Sequence, residues 1–261
     1  MTPPQAAAGP GRHRPLKEMF GEITPRYDIL NRFMSLGRDL FWRRSLSERL
    51  LVLDPPGKFL DLATGSGDQL VAAGARWPGA ELTGLDFSKP MLELARRKVT
   101  SARAAARVEA REAGGPAVPP SPEPVLIHGD ALHNDLPENA FDSVSISFGL
   151  RNISPRRELY KTVLRVLKPG GRFLVLELFF EPRSLWAPVH RFYLKSAIPG
   201  LVGGLFEGAG DAYGYLGESV VAFPHPDVLI DQMARAGFVG LGRRTHTFGV
   251  AMLVWGHKPA A

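Results

Sequence analysis

The sequence predicts an α/β fold, an open and mostly parallel sheet of seven strands, on three observations. A short apolar run, Phe59-Leu60-Asp61-Leu62, breaks at Thr64-Gly65-Ser66-Gly67 and reopens as the helical pattern Gln69-Leu70-Val71-Ala72-Ala73. Strand-like and helix-like stretches then alternate, which implies right-handed crossovers and parallel pairing. Near the carboxyl end two strand patterns, Phe238 to Arg243 and Gly249 to Trp255, are joined too closely for a crossover, so one strand is reversed by an antiparallel hairpin.

The elements follow in order. Residues 1–15 are rich in Pro, Gly and Ala and hold too little apolar mass to offset ordering entropy, so a disordered tail is expected. From 16 to 53, Met19, Phe20, Ile23, Tyr27, Leu30, Phe33 and Met34 recur at three- and four-residue spacing, which predicts a helical cover over the ligand edge of the sheet. A second strand, Glu81 to Leu85, runs into Asp86. Ser88 then caps a helix with Pro90 in its first turn. The Gly/Pro-rich stretch 113–124 reads as a surface insertion. Val125 to His128 and Phe141 to Phe148 are the third and fourth strands. A helix over about 154–167 stops at Lys168-Pro169-Gly170-Gly171 and feeds the strand Arg172 to Glu177. The aromatic, Gly-rich block 179–223 is too long for a connection and predicts a substrate cover. A helix over about 226–236 precedes the final hairpin. A single domain over 16–261 is expected.

At the first strand-to-helix turn, Gly65 and Gly67 permit positive φ and close approach of a ligand to the backbone. The free N–H groups of the following helix face that ligand. Asp86, nineteen residues beyond Gly67, can accept both hydroxyls of a ribose. A dinucleotide site would place a third glycine where this chain has Leu70. S-adenosylmethionine, which carries ribose and adenine but no phosphate, fits better.

The chain has 261 residues, no cysteine and a net charge of +6. Disulfides, thiolate metal sites and a cysteine nucleophile are therefore excluded. The seven histidines show no metal-binding spacing, so no metal is expected. The basic residues are dispersed and lack interleaved aromatics, which argues against nucleic acid. No secretory signal or apolar span is visible, so a cytoplasmic protein is expected.

Two stretches carry a family resemblance. Tyr27-Asp28-Ile29-Leu30-Asn31-Arg32-Phe33-Met34-Ser35, continuing to Trp42, resembles the Tyr-Asp-x-x-Asn-x-x-x-Ser signature of the ubiquinone/menaquinone biosynthesis C-methyltransferases. Arg165-Val166-Leu167-Lys168-Pro169-Gly170-Gly171-Arg172 resembles a second segment of the same family. Phe148-Gly149-Leu150-Arg151-Asn152 and Tyr213-x-Tyr215-Leu216-x-x-Ser219 match further. Where the family usually has histidine this chain has Asp39, so an imidazole there is not carried over.

The resemblance implies a Rossmann-like class I methyltransferase that methylates a ring carbon of a polyprenylated hydroquinone. Demethylmenaquinol is the first candidate and 2-polyprenyl-6-methoxy-1,4-benzoquinol the second. Cofactor contacts carry over to Ser66, Asp86, Asp130 with Ala131, and Ser147. Arg151 and Asn152 are placed to polarise the phenol oxygen, with an ion pair to a neighbouring acid as the structural alternative for Arg151. Tyr27 and Asn31 are substrate-facing candidates, and His133 is expected as the histidine nearest the site. The isoprenoid substrate and basic charge imply peripheral association with the inner face of the membrane, and a homo-oligomer is left open. Competing classes are a nicotinamide-dependent oxidoreductase, opposed by Leu70 and the reversed hairpin, and a cofactor-binding module without catalysis.

Overall fold

The computed structural model describes residues 27–50, 57–113, 122–197, 200 and 210–260. The expected tail 1–15, the ends of the cover at 16–26 and 51–53, and most of the insertion at 113–124 fall outside that set. So do 198–199 and 201–209 of the aromatic block.

Seven strands form one sheet: β1 (Lys58–Leu62), β2 (Glu81–Asp86), β3 (Val125–His128), β4 (Phe141–Ser147), β5 (Leu167–Leu178), β6 (Val239–His246) and β7 (Ala251–His257). Their order is β3-β2-β1-β4-β5-β7-β6. All neighbours pair in parallel except β7, which runs antiparallel to both β5 and β6. The order reverses at β1, between β2 and β4, which is where an open α/β sheet leaves a crevice beyond its strand ends.

Alternation along each strand sends apolar side chains to both faces. In β5, Phe173 and Val175 join Leu159, Tyr160 and Val163 of α5 (Arg156–Val166) and Leu229 and Met233 of α8 (Pro226–Ala236). Leu174 and Leu176 face the other way, toward α2 (Arg38–Ser47), α3 (Asp68–Arg76) and α4 (Lys89–Glu112), whose Trp42, Leu46, Leu70 and Val99 complete a second core. A third cluster binds Leu30 of α1 (Tyr27–Ser35) to Ala187 of α6 (Ala187–Phe192), Leu194, and Leu216 and Val220 of α7 (Gly210–Ala222). Thus α1 packs with the aromatic block rather than lying alone on the sheet.

Two elements differ from the sequence reading. Pairing of β5 with β4 begins at Leu167↔Phe141 and resumes only at Arg172↔Ser143, so Lys168-Pro169-Gly170-Gly171 is a bulge inside the strand, not a stop before it. Lys168 secures it by donating to Asp142 at 2.8 Å. The last two strands run two to three residues beyond their expected ends and meet at the turn Thr247–Gly249, where Thr247 and Phe248 sit at φ 49° and 54°. Left-handed backbone is costly for such residues.

Candidate active site

The parallel register aligns the carboxyl ends of the four strands expected to hold the cofactor. Leu62 pairs with Leu85 and Ile146, and Asp86 pairs with His128. The turn after β1 is pinned to β2, since Thr64 N–H donates to the Leu85 carbonyl at 3.0 Å. Asp86 is buried. One carboxylate oxygen accepts from Gly65 N–H at 2.8 Å, and the other from Ser88 N–H at 2.9 Å. Burial raises its pKa, and the Ser88 and Gly65 amides offset part of that rise.

The two glycines do different work. Both have positive φ, +54° at Gly65 and +82° at Gly67. A Cβ at Gly65 would meet nothing within 4 Å, whereas one at Gly67 would lie 2.9 Å from Ala95 Cβ of α4. Gly65 therefore borders open space for a ligand, and Gly67 is glycine because α4 packs against it. Open space at Gly65 beside the anchored Asp86 carboxylate fits a ribose-bearing cofactor. Leu70, where a dinucleotide clamp would need glycine, is wholly buried in the core against Gly84.

The other expected cofactor residues surround this turn with altered roles. Ser66 Oγ donates to Asp28 at 2.6 Å and accepts from Lys98 at 3.0 Å, so its hydroxyl ties the turn to α1 and α4 instead of pointing free at a methionine moiety. Ser147 Oγ donates to Gln69 at 3.3 Å. Asp130 lies two residues past β3 and accepts from Leu132 N–H at 2.8 Å. Its side chain is about half exposed, and Ala131 beside it is half-buried. His133 is exposed next to Asp130 and is not among the residues that line the pocket beside Arg151.

A histidine that does line this pocket is His190 of α6. The pocket lies between the helical cover and the ends of β4 and β5, with an empty volume, open mouth included, of about 650 Å³. Met34, Trp42, Phe148, Leu178 and Leu216 give it apolar walls, while Asn31, Asp39, Arg43, Arg151 and Tyr193 add polar groups. Asn31 is thus on the wall of this pocket, and the Tyr27 side chain lies outside the described residues. Burial lowers the pKa of His190 and keeps the ring neutral near pH 7. No sequence motif marked His190 or Tyr193, because both sit in the aromatic block, where spacing carries no signal.

Arg151 and Asn152 occupy a 3-10 turn, Leu150–Asn152, that sends them apart. Arg151 reaches the pocket, and its Nη1 donates to Glu177 at 2.5 Å and to the Phe148 carbonyl at 2.7 Å. The structural alternative, an acidic partner, is therefore present alongside the pocket position. Asn152 departs from expectation, since its Oδ1 accepts from the Tyr215 hydroxyl at 3.1 Å and it is not among the lining residues.

An ionic network links pocket to turn. Asp68, first residue of α3, accepts from Arg32 at 3.0 Å and Lys98 at 2.7 Å, with Arg43 at 3.9 Å. Burial would raise its pKa, but Arg43, Lys98 and Arg32 outweigh it and hold the carboxyl below the usual range. Arg32 also pairs with Asp39, and Lys98 with Asp28. Asp39 is buried and accepts from Ser35 at 2.7 Å, so the acid standing in place of the family histidine serves as a counter-ion.

A seven-stranded sheet with one reversed strand, a glycine turn facing a strand-end aspartate, and an adjoining pocket define a class I methyltransferase. The chain matches the ubiE/COQ5 methyltransferase family over residues 10–258 and belongs to it. It is an S-adenosylmethionine-dependent enzyme of quinone biosynthesis, and the oxidoreductase reading is set aside. It is similar to a demethylmenaquinone methyltransferase of Thermus thermophilus, with 43% identity over 92% of this chain and all of that protein. It is also similar to the ubiquinone/menaquinone biosynthesis C-methyltransferase UbiE of Geobacter sulfurreducens, with 39% identity over 93% of this chain and 88% of that one. A putative S-adenosyl-L-methionine-dependent methyltransferase structure from Methanococcus maripaludis matches the fold at TM-score 0.62 and 12% identity, covering 96% and 99% of the two chains.

Proposed function

We propose that the chain transfers a methyl group to a ring carbon of a polyprenylated hydroquinone, with demethylmenaquinol the first choice and 2-polyprenyl-6-methoxy-1,4-benzoquinol the second. We also propose that residues 16–261 act as one domain and that the enzyme works as a peripheral protein on the inner face of the membrane. The observation that carries the reading is the pocket of apolar walls into which Arg151, anchored by a buried carboxylate, presents a positive charge. A flat apolar ring that turns one of its ionisable oxygens toward Arg151 suits it.

When bound, S-adenosylmethionine supplies an electrophilic methyl on sulfur. Gly65 would leave room for it and Asp86 would accept its ribose hydroxyls. Asp130 and Ala131 would border the adenine edge, and Ser147 lies near the strand end with Gln69. A carbon nucleophile needs the neighbouring phenol ionised, and a phenol of ordinary pKa, about 10, is neutral at pH 7. Arg151 lowers that requirement by stabilising the phenolate. Trp42, Phe148 and Leu178 exclude water, which strengthens the interaction. One carbon–carbon bond forms as the sulfur–carbon bond breaks, and the ring then loses the proton at that carbon.

Incubation with methyl-labelled S-adenosylmethionine and each reduced quinone precursor tests this. Label should move to demethylmenaquinol in preference to the benzoquinol. Transfer to neither would reject the substrate class.

A further inference from the structure

We infer that a second cleft, opening beside the substrate pocket, is rimmed by a surface that docks on an anionic lipid bilayer. The inference rests on the polyprenyl substrate proposed above and identifies where the membrane is met.

The second cleft shares His190, Tyr193 and Val250 with the substrate pocket, so the two spaces adjoin across these three residues. Its outer wall is Trp186 and Val189 on one side and Phe248 on the other. Three separate segments converge there. Phe41 of α2 packs edge-on against His246 at 5.6 Å, and Trp42 Nε1 donates to Thr247 Oγ1 at 2.9 Å, which brings α2 to the β6–β7 turn. A Cβ on Gly249 would lie 3.9 Å from Glu181 Cβ, which brings that turn to the loop before α6.

Each segment exposes large apolar side chains at this junction. Leu185 is 97% exposed, Phe248 90%, Trp186 64%, Val189 60% and Phe41 55%. Phe248 is held outward by left-handed backbone at φ 54°, an arrangement that costs energy and leaves the ring in water. Polar surface nearby is mostly basic. Residues 183–197 and 239–249 hold no acid and present exposed Arg183, Arg191, Lys195 and Arg244, and α2 adds exposed Arg38, while Asp39 is buried and Arg44 is paired with Glu48 at 3.6 Å. Glu181, on the inner wall, is turned onto His225 at 3.1 Å.

Apolar side chains ringed by arginine and lysine match a negatively charged membrane surface, which attracts cations and accepts apolar side chains below the headgroups. A protein partner would leave the cleft closed at its mouth, whereas a bilayer opens it to the phase in which an isoprenoid is dissolved. The second cleft then serves as the doorway from lipid to the pocket.

The test is sedimentation with phosphatidylglycerol and with phosphatidylcholine vesicles at low salt, paired with quenching of tryptophan fluorescence by brominated lipid. Wild type should sediment with the anionic vesicles, and quenching should vanish in Trp186→Phe. A double variant, Leu185→Asp with Phe41→Asp, should partition about tenfold or more weakly, as expected for withdrawing large apolar side chains from lipid. Its turnover of a water-soluble naphthohydroquinone with a single isoprene unit should be unchanged. Wild-type protein that ignores anionic vesicles, a double variant that binds as wild type does, or quenching that persists in Trp186→Phe would each overturn the docking surface. Failure of the wild type to methylate the soluble quinol would strike the substrate reading alone, because sedimentation reads the rim without turnover.

Discussion

Glu177, wholly buried at the end of β5, accepts from Arg151 Nη1 at 2.5 Å through one carboxylate oxygen and from the Arg151 backbone N–H at 3.2 Å through the other. The pair fixes the guanidinium at the pocket wall by both side chain and main chain. A charge already held in place costs no reorganisation when a phenolate develops.

Arg151→Ala should therefore act twice. Methyl transfer should fall by about 10²–10³, the usual loss for one preorganised donor, with cofactor affinity near normal. Stability should fall by about 3–5 kcal/mol, since Glu177 is left buried and unpaired. Adding Glu177→Gln should restore much of the melting temperature but not the rate. A folded Arg151→Ala enzyme with near-normal turnover would leave Arg151 as a structural partner of Glu177 only.

Asp86→Ala should weaken S-adenosylmethionine binding by roughly 1.5–3 kcal/mol, the range for charge-assisted hydrogen bonds. Asp86→Asn should not rescue it, because one amide face would set N–H against the N–H of Gly65 or Ser88. Calorimetry decides, and unchanged affinity in either variant removes Asp86 from the cofactor site.

The two turn glycines should separate binding from stability. Gly67→Ala places a Cβ 2.9 Å from Ala95 on left-handed backbone, so unfolding stability should drop by about 1–3 kcal/mol from overpacking, with strain in addition. Gly65→Ala meets no neighbour, so its stability loss should stay near the roughly 1–2 kcal/mol of strain while cofactor affinity declines more. The reverse ranking in thermal melts would contradict the assignment.

Asp61 gives a pH dependence. It is fully buried, and burial pushes its pKa from 3.8 up to about 6, although Ser145 and Thr64 donate to it. The folded protein then binds more protons than the unfolded chain between about pH 4 and 6, so stability decreases as pH rises through that window. The full effect is on the order of 3 kcal/mol. Comparing wild type with Asp61→Asn between pH 4 and 7 isolates this contribution, and a difference that does not change with pH would refute it.

Much of this architecture was legible in the residues. Apolar runs ending at Leu62, Asp86 and His128 marked neighbouring strands that stop within one residue of each other, and the short link before Ala251 marked the reversed strand. Side-chain destinations were less legible. The family resemblance makes Ser66 a ligand contact, yet its hydroxyl is claimed by Asp28 and Lys98, thirty-eight and thirty-two positions away. Pairing over such distances depends on how α1 and α4 pack, and local periodicity does not encode that. Glu177 was read only as a strand residue, although a carboxylate ending an apolar strand has to find a cation. His190 had no periodic or motif signal, since its position depends on the tertiary fold of the aromatic block.

The hydrogen bonds that Ser66 donates to Asp28 and that Arg32 donates to Asp68 make one helix a shared wall. The same α1 that grips the glycine turn contributes Asn31, Met34 and Ser35 to the pocket beside Arg151. A displacement of the turn would therefore reach that wall through two hydrogen bonds, and the two spaces would not be independent of each other.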